Sequence, residues 1–351
     1  MKNLYFHVFL FFVCSFFSCK FSGPLPPANN TFDNLNHWND SALSKNTRIK
    51  IANWNLQTFF DASPSGNEYS GFTDKDKNWN QEKYLQRLER LCNVIQQIDA
   101  DIIAFEEIEN KGIIYDIINN YLLQGRRDKS YKYAIFAGES NQAFGIALVS
   151  RYPILDYSVH QINVVGEKNE QPRMRPIAKA LVQIDDKTLS VYVCHWKSKS
   201  NGEEESEIWR NYSEMQLARL ISTDTNPVFV TGDFNRDLKE FQISSTILSN
   251  DFSSSIKLRT FDNFSSADVY LNSAWLYRPI ESVYKNEGSY FFQGKWEKID
   301  HFMFSREVVL RSFSTVKYAE NVTESGTPDR YSAWSGKGFS DHLPLECIIE
   351  L

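Results

Sequence analysis

The run PVFVTGDFNRD at 227–237 restricts the fold more than any other stretch of the chain. Val228, Phe229 and Val230 form an apolar strand without polar alternation, which a sheet accommodates only when both of its faces are covered. A chain with such strands must stack helices or a second sheet on each side of them. The run then breaks into Gly232, Asp233 and Asn235. Side chains two apart on an extended backbone point the same way, so the acid and the amide are expected to leave one face together, as in a binding or catalytic site.

Similar alternations recur from Arg48 onward. A strand at 49–56 (IKIANWNL) leads into a polar loop at 61–80. A helix follows, with Leu85, Leu88, Leu91, Cys92, Ile95 and Ile98 at three- and four-residue spacing. A buried strand is expected at 101–105, a helix near 111–123, and strands around 131–137, 144–150, 176–184 and 188–194. Helices are expected at 206–222 and near 238–249. Short aromatic strands, including 296–305 and 344–350, fill the last third. Strand pairs with helices between them predict two sheets packed face to face with helices outside, in one α/β domain over 48–351. No internal repeat and no linker divides it. With 42% hydrophobic residues the chain can bury a core of that size.

The first nineteen residues carry Lys2 and an apolar segment from Leu4 to Phe17, too short for a comfortable membrane span and shaped like a secretory signal. Phe16-Phe17-Ser18-Cys19 resembles a loose bacterial lipoprotein box, which makes Cys19 the expected lipidation site. An ordinary cleaved signal is the alternative. Residues 20–47, with Pro24, Pro26 and Pro27, read as a tether. Export to the cell envelope and membrane attachment through a lipid are thus expected. Cys92, Cys194 and Cys347 read as small buried hydrophobes rather than a disulfide framework. The formal net charge of −6 gives no broad basic surface and excludes a protein that holds nucleic acid by charge alone. An enzyme that touches a few phosphates with help from a metal ion is compatible with it. No obligate protein partner is indicated, and a monomer is expected.

Polar residues cluster where apolar runs end: Asn53-Trp54-Asn55, Glu106-Glu107, His195-Trp196-Lys197, Asp233-Phe234-Asn235 and Ser340-Asp341-His342. Lys298-Ile299-Asp300-His301 lies inside an otherwise apolar strand. Buried charges are costly unless paired, so these groups are expected to meet one another, a metal, or water in a cleft. Each alone has an ordinary structural explanation as a turn, a cap or a satisfied core residue. Their joint occurrence does not.

The series ANWNLQ, DIIAFEEIEN, HWKSK, VTGDFN, KIDHFMFS and FSDHLPLE resembles the endonuclease/exonuclease/phosphatase superfamily, with its deoxyribonuclease-I-like fold, over nearly all of 48–351. The resemblance implies a four-layered α/β/β/α sandwich and metal-dependent cleavage of a phosphate ester, with Mg²⁺ as cofactor and Mn²⁺ or Ca²⁺ as alternatives. It implies His195, Asp233, Asn235, Asp300 and His342 as catalytic residues. Glu107, Asn55 and Asp341 are implied on the metal side, and Arg175 as a phosphate contact beside Asn55. Gln57 takes the place of a motif-one arginine and is a candidate substrate contact there, and Glu109 takes that of a basic residue in secreted vertebrate members. Both changes reduce phosphate grip. Lys197 and Arg210, near His195, are candidate substrate contacts on position and charge. No acid that would partner His195 is found near Glu139.

Hydrolysis of a phosphodiester needs an in-line nucleophile and stabilisation of charge on the phosphoryl oxygens. Mg²⁺ is satisfied by a few hard oxygen ligands and its own waters, and no zinc-type Cys/His spacing is present. Nucleic acid is the expected substrate. Sphingomyelin or a phosphoinositide on the same fold, and a non-catalytic binding protein, are the alternatives.

Overall fold

The computed structural model describes residues 48–72, 79–139, 142–162, 174–199, 202–243, 255–258, 269–277 and 287–351. The signal and tether readings, Cys19 included, lie outside these residues. In chain order the elements are β1 (Arg48–Phe59), α1 (Gln81–Ile98), β2 (Ile102–Ile108), α2 (Lys111–Leu123), β3 (Tyr133–Ala137), β4 (Gly145–Ser150), β5 (Ile154–His160), β6 (Ile177–Ile184) and β7 (Lys187–His195). Then come α3 (Glu203–Ser222), β8 (Val228–Asp233), β9 (Gln242–Ile243), β10 (Ser255–Leu258), β11 (Val269–Ser273), β12 (Tyr290–Phe292), β13 (Lys295–Glu297), β14 (Asp300–Phe304), β15 (Val309–Thr315) and β16 (Leu345–Glu350).

Among the described residues, one sheet of six strands runs β15-β16-β1-β2-β4-β3 and one of eight runs β5-β6-β7-β8-β14-β11-β10-β9. The parallel pairs β1–β2 and β7–β8 are bridged by α1 and α3, the connection that parallel strands require. Strand alternation divides the core. Ile49 and Ile51 of β1 and Ile102 and Ala104 of β2 face the eight-stranded sheet, while Ala52, Trp54, Ile103 and Phe105 face α1 and α2. Leu217, Ala218 and Ile221 of α3 cover the opposite side of the sandwich. The expected α/β/β/α layering is therefore present. Its two cores are built from fully buried Ile, Val, Leu and Phe, each worth roughly 1.5–3 kcal/mol.

Several elements differ from expectation. Where a helix was expected from 238, Leu238–Glu240 forms one 3₁₀ turn and the chain passes into β9. Asp237 caps the start of that turn, its side chain accepting the Lys239 N–H while Glu240 reaches back to the Asp237 N–H, and the turn ends where Phe241 takes up extended backbone; residues 244–249 lie outside the described set. The single strand expected at 296–305 is two, a β12–β13 hairpin and then β14. On α1, Leu85 is half exposed, and the buried stripe instead runs through Tyr84, Arg87, Leu88, Leu91 and Ile95. β5, missed in the sequence, alternates weakly at the sheet edge. Cys92, Cys194 and Cys347 are free and buried.

Candidate active site

Three adjacent strands of the eight-stranded sheet end in register. His195 of β7 pairs with Asp233 of β8 in parallel, and Asp300 of β14 pairs with Asp233 from the other side. From the six-stranded sheet, Asn53 and Asn55 of β1 lie on the same face as Glu106 of β2, with Asn55 opposite Glu106. The two sheets thus deliver their polar residues to one end of the sandwich. A seventh residue, His342, comes from the loop before β16. That loop is tied down by Ser340 Oγ donating to the Asn55 carbonyl at 2.6 Å and by Trp54 Nε1 donating to the His342 carbonyl at 3.0 Å.

Adjacent carboxylates Glu106 and Glu107 separate because the chain bulges. Glu107 has φ +59°, and the β2–β4 register shifts between Glu106 and Ile108. A non-glycine residue in this left-handed region costs roughly 1–3 kcal/mol, and such strain gathers at functional sites. The bulge leaves Glu106 fully buried between the sheets, bonded to Asn53 Nδ2 at 3.2 Å. It turns Glu107 into the cleft. Glu107 Oε2 accepts the Thr58 N–H at 2.6 Å. Its Oε1 has Asn55 Nδ2 at 3.5 Å and His195 Nε2 at 3.8 Å.

Asp233 is the hub. Its Oδ2 accepts from Asn55 Nδ2 at 3.0 Å and lies 3.7 Å from His195 Nε2 and 3.9 Å from His342 Nε2. Its Oδ1 accepts the Asn235 N–H at 2.8 Å. Asp233 and Asn235 therefore converge through an Asx turn, with Asn235 at φ +46°, and not through the strand alternation expected from sequence, since β8 ends at Asp233. Asn235 Nδ2 donates to the Trp196 carbonyl at 3.1 Å.

The two histidines sit in opposite electrostatic surroundings. Burial would lower the pKa of His342, but Asp300, at 2.8 Å from Nδ1, followed by Asp233 and Asp341, raises it well above the ordinary imidazole value. Burial lowers that of His195 well below it, helped by Arg175, His342 and Lys197. Near neutral pH His342 is an imidazolium and His195 a neutral imidazole. Burial and the neighbouring Asp300 push Asp233 up to about 7. Burial, with Asp300 and Asp233, pushes Glu106 well above the carboxylate range, which holds this carboxyl in its neutral form.

The chain matches the family model described as "Endonuclease/Exonuclease/phosphatase family" over residues 50–349. The chain belongs to that family. Endonuclease/exonuclease/phosphatase members are hydrolases of phosphate esters. Solved structures share the fold at low identity. TDP2 from D. rerio complexed with single strand DNA product is 13% identical over 87% of this chain and 100% of that one, TM-score 0.52. A family protein from Bacteroides thetaiotaomicron is 15% identical over 86% and 97%, TM-score 0.51. The human Nocturnin catalytic domain with bound sulfate anion is 16% identical over 87% and 94%, TM-score 0.51. No curated protein matches the sequence.

Endonuclease/exonuclease/phosphatase enzymes use divalent metals, and the donor set fits a hard cation. Glu107 is anchored through one oxygen while the other faces the cleft without a close hydrogen bond. Asp341 borders the cluster at His342, its Oδ1 4.0 Å from His342 Nε2 and its Oδ2 3.3 Å from Arg330. Asp233, Asp300 and His342 also bring three donor atoms within 4.8 Å of one another. That trio is already a charge pair, because Asp300 holds the imidazolium. Asn55, expected on the metal side, turns its amide nitrogen to Glu107 and Asp233, since its oxygen accepts the Gln57 N–H at 2.9 Å. It orients carboxylates instead.

Two further expectations are corrected. Arg210 is fully buried on α3, donating to the carbonyls of Lys197 and Glu203, to Ser206 Oγ and to Glu207, so it is out of reach of substrate. Gln57 exchanges two hydrogen bonds with the Tyr331 backbone and serves as a latch. Arg175 and Lys197 do face a cavity beside the site. Sequence reading missed Arg87. Fully buried on α1, it donates to the carbonyls of Leu56, Gln57, Thr58 and Phe339 and stacks 3.6 Å from the Tyr331 ring centroid. It holds the turn at Gln57 and Thr58, both at positive φ, whose N–H groups position Asn55 and Glu107. Its one signal was a charge inside an apolar helical stripe. Also missed was Tyr290, whose ring lies 4.8 Å from that of His342.

Proposed function

We propose that this chain is an exported nuclease that hydrolyses phosphodiester bonds of DNA or RNA with Mg²⁺ held by Glu107 and Asp341. One observation carries the reading: Asp233 Oδ2 lies within 4 Å of both His195 Nε2 and His342 Nε2, so a base, a neutral imidazole and an imidazolium surround one point. The bound cation would neutralise charge on the phosphoryl group. Asp233 accepts the proton of the attacking water, which Asn235 and Asn55 help to place by fixing its carboxylate. His342 donates a charged hydrogen bond to a phosphoryl oxygen and His195 a neutral one. The single strand DNA product and the sulfate found in the TDP2 and Nocturnin structures support a phosphate-centred site on this fold.

The location is part of the proposal. It is supported by the apolar segment from Leu4 to Phe17 and by Ser18-Cys19, which direct the chain to the cell envelope with Cys19 lipidated. Incorporation of radiolabelled palmitate by the producing bacterium, lost in Cys19→Ser, tests it.

For the activity, plasmid DNA, RNA and sphingomyelin are incubated with protein lacking residues 1–19, with Mg²⁺ and with chelator, beside His342→Ala. Metal-dependent cleavage of nucleic acid is expected. Exclusive cleavage of sphingomyelin would sink the nuclease reading, and loss of His342 should cost on the order of 10²–10⁴-fold in rate.

A further inference from the structure

Beside His195 opens a cavity of about 440 Å³ lined by Tyr69, Phe144, Arg175 and Lys197, with Gly66 and Asn67 at its edge. That volume lies within the range of small-molecule sites. Its walls differ in chemistry. Tyr69 comes from the polar loop after β1 and is 51% exposed. Its ring is nonetheless held, edge-on against Phe60 at 5.8 Å and Phe144 at 5.3 Å between centroids. An exposed aromatic ring braced by two buried ones is a platform, since little ordering entropy remains to be lost when something stacks on it. Arg175 donates to the Trp196 carbonyl at 3.3 Å, directly after His195, and Lys197 follows it. Both cations are close enough to shift His195 electrostatically.

We propose that this cavity is a subsite for one unpaired nucleotide of a nucleic acid strand, its base stacked on Tyr69 and its phosphate beside Arg175 and Lys197. The proposal rests on the hydrolase reading above and adds the class of strand to it. A base within a duplex is stacked on its neighbours and cannot lie on Tyr69, so single-stranded or frayed ends are the preferred substrate. The two cations also argue against a choline headgroup, which would place a quaternary ammonium beside them.

The test compares a single-stranded oligonucleotide, the same strand with abasic residues, and the corresponding blunt duplex, using protein lacking residues 1–19 with Mg²⁺. The wild type should favour the normal over the abasic strand by roughly 5- to 100-fold in kcat/KM, the range expected of one base–aromatic stack. Tyr69→Ala should bring that ratio near one, and Tyr69→Trp should keep it. A second arm measures equilibrium binding of dAMP and of deoxyribose 5-phosphate in chelator. Tighter binding of dAMP that depends on Tyr69 supports the subsite even if no phosphoester is cleaved, an outcome that would count against the hydrolase reading alone. Metal-dependent cleavage in which Tyr69→Ala keeps the wild-type ratio, or in which duplex is cut as fast as single strand, overturns the subsite and leaves the hydrolase reading standing.

Discussion

Asp300 Oδ2 stands 2.8 Å from His342 Nδ1, although the two residues are 42 positions apart in the chain. The carboxylate fixes the tautomer of the ring and stabilises its charged form, leaving Nε2 to face Asp233 at 3.9 Å. Asp300→Asn keeps the shape and removes the charge. The rate is expected to fall about 10²–10⁴-fold, and an NMR titration of His342 should show its pKa dropping toward the ordinary histidine range. A large rate loss with an unchanged His342 titration would contradict this role.

Asp233 must be ionised to accept a proton, and burial with Asp300 alongside pushes it up to about 7. Activity should therefore rise with pH through about 7 and level off above. The effect on stability has the opposite sign. Because the folded state holds this proton over a pH range where the unfolded carboxyl has lost it, the contribution of Asp233 to stability declines from about pH 4 to about 7. A pH–rate profile at saturating metal checks the first statement. Urea unfolding of wild type and Asp233→Asn across that range checks the second, with the variant expected to lose less stability as pH rises.

Arg87 neutralises the outward-turned carbonyls of Leu56, Gln57, Thr58 and Phe339. Arg87→Lys retains a charge but cannot span them, and buried acceptors left unmet cost about 1–3 kcal/mol each. A stability loss of about 3 kcal/mol is expected in chemical denaturation. At temperatures where the variant is folded, its half-saturating Mg²⁺ concentration should rise, because Thr58 N–H no longer holds Glu107 firmly. A destabilised variant with wild-type metal dependence would confine Arg87 to a structural role.

Gly232 precedes Asp233 at φ +141°, and a Cβ there would sit 1.9 Å from the Cys194 carbonyl oxygen. Neither β7 nor β8 can yield without moving His195 or Asp233. Gly232→Ala should cost more than about 3 kcal/mol and abolish activity even in the folded fraction. A thermal melt close to that of the wild type would refute the close approach.

Much of this protein was legible in the chain itself. Apolar runs such as 228–230 and the stripe through Leu88, Leu91 and Ile95 are local patterns, and local patterns specify strands, helices and the need for layers. The ordered clusters around Asn55, Glu107, His195, Asp233 and His342 indicated the family. Less was legible at the ends of elements. The turn capped by Asp237 ended after three residues where Phe241 became extended, and the Asx turn at Asp233 replaced simple alternation. Arg210, a rim cation by sequence, is fully buried by α3.

The order and chemistry of the residues were thus determined by the sequence alone, because periodicity and residue type act over a few positions. How a bulge separates Glu107 from Glu106, which histidine carries the charge, and what Arg87 holds were decided only by the tertiary structure. Each depends on a bulge, a burial or a charge contributed by strands far away in the chain, and such fields and contacts exist only once the two sheets have closed on each other.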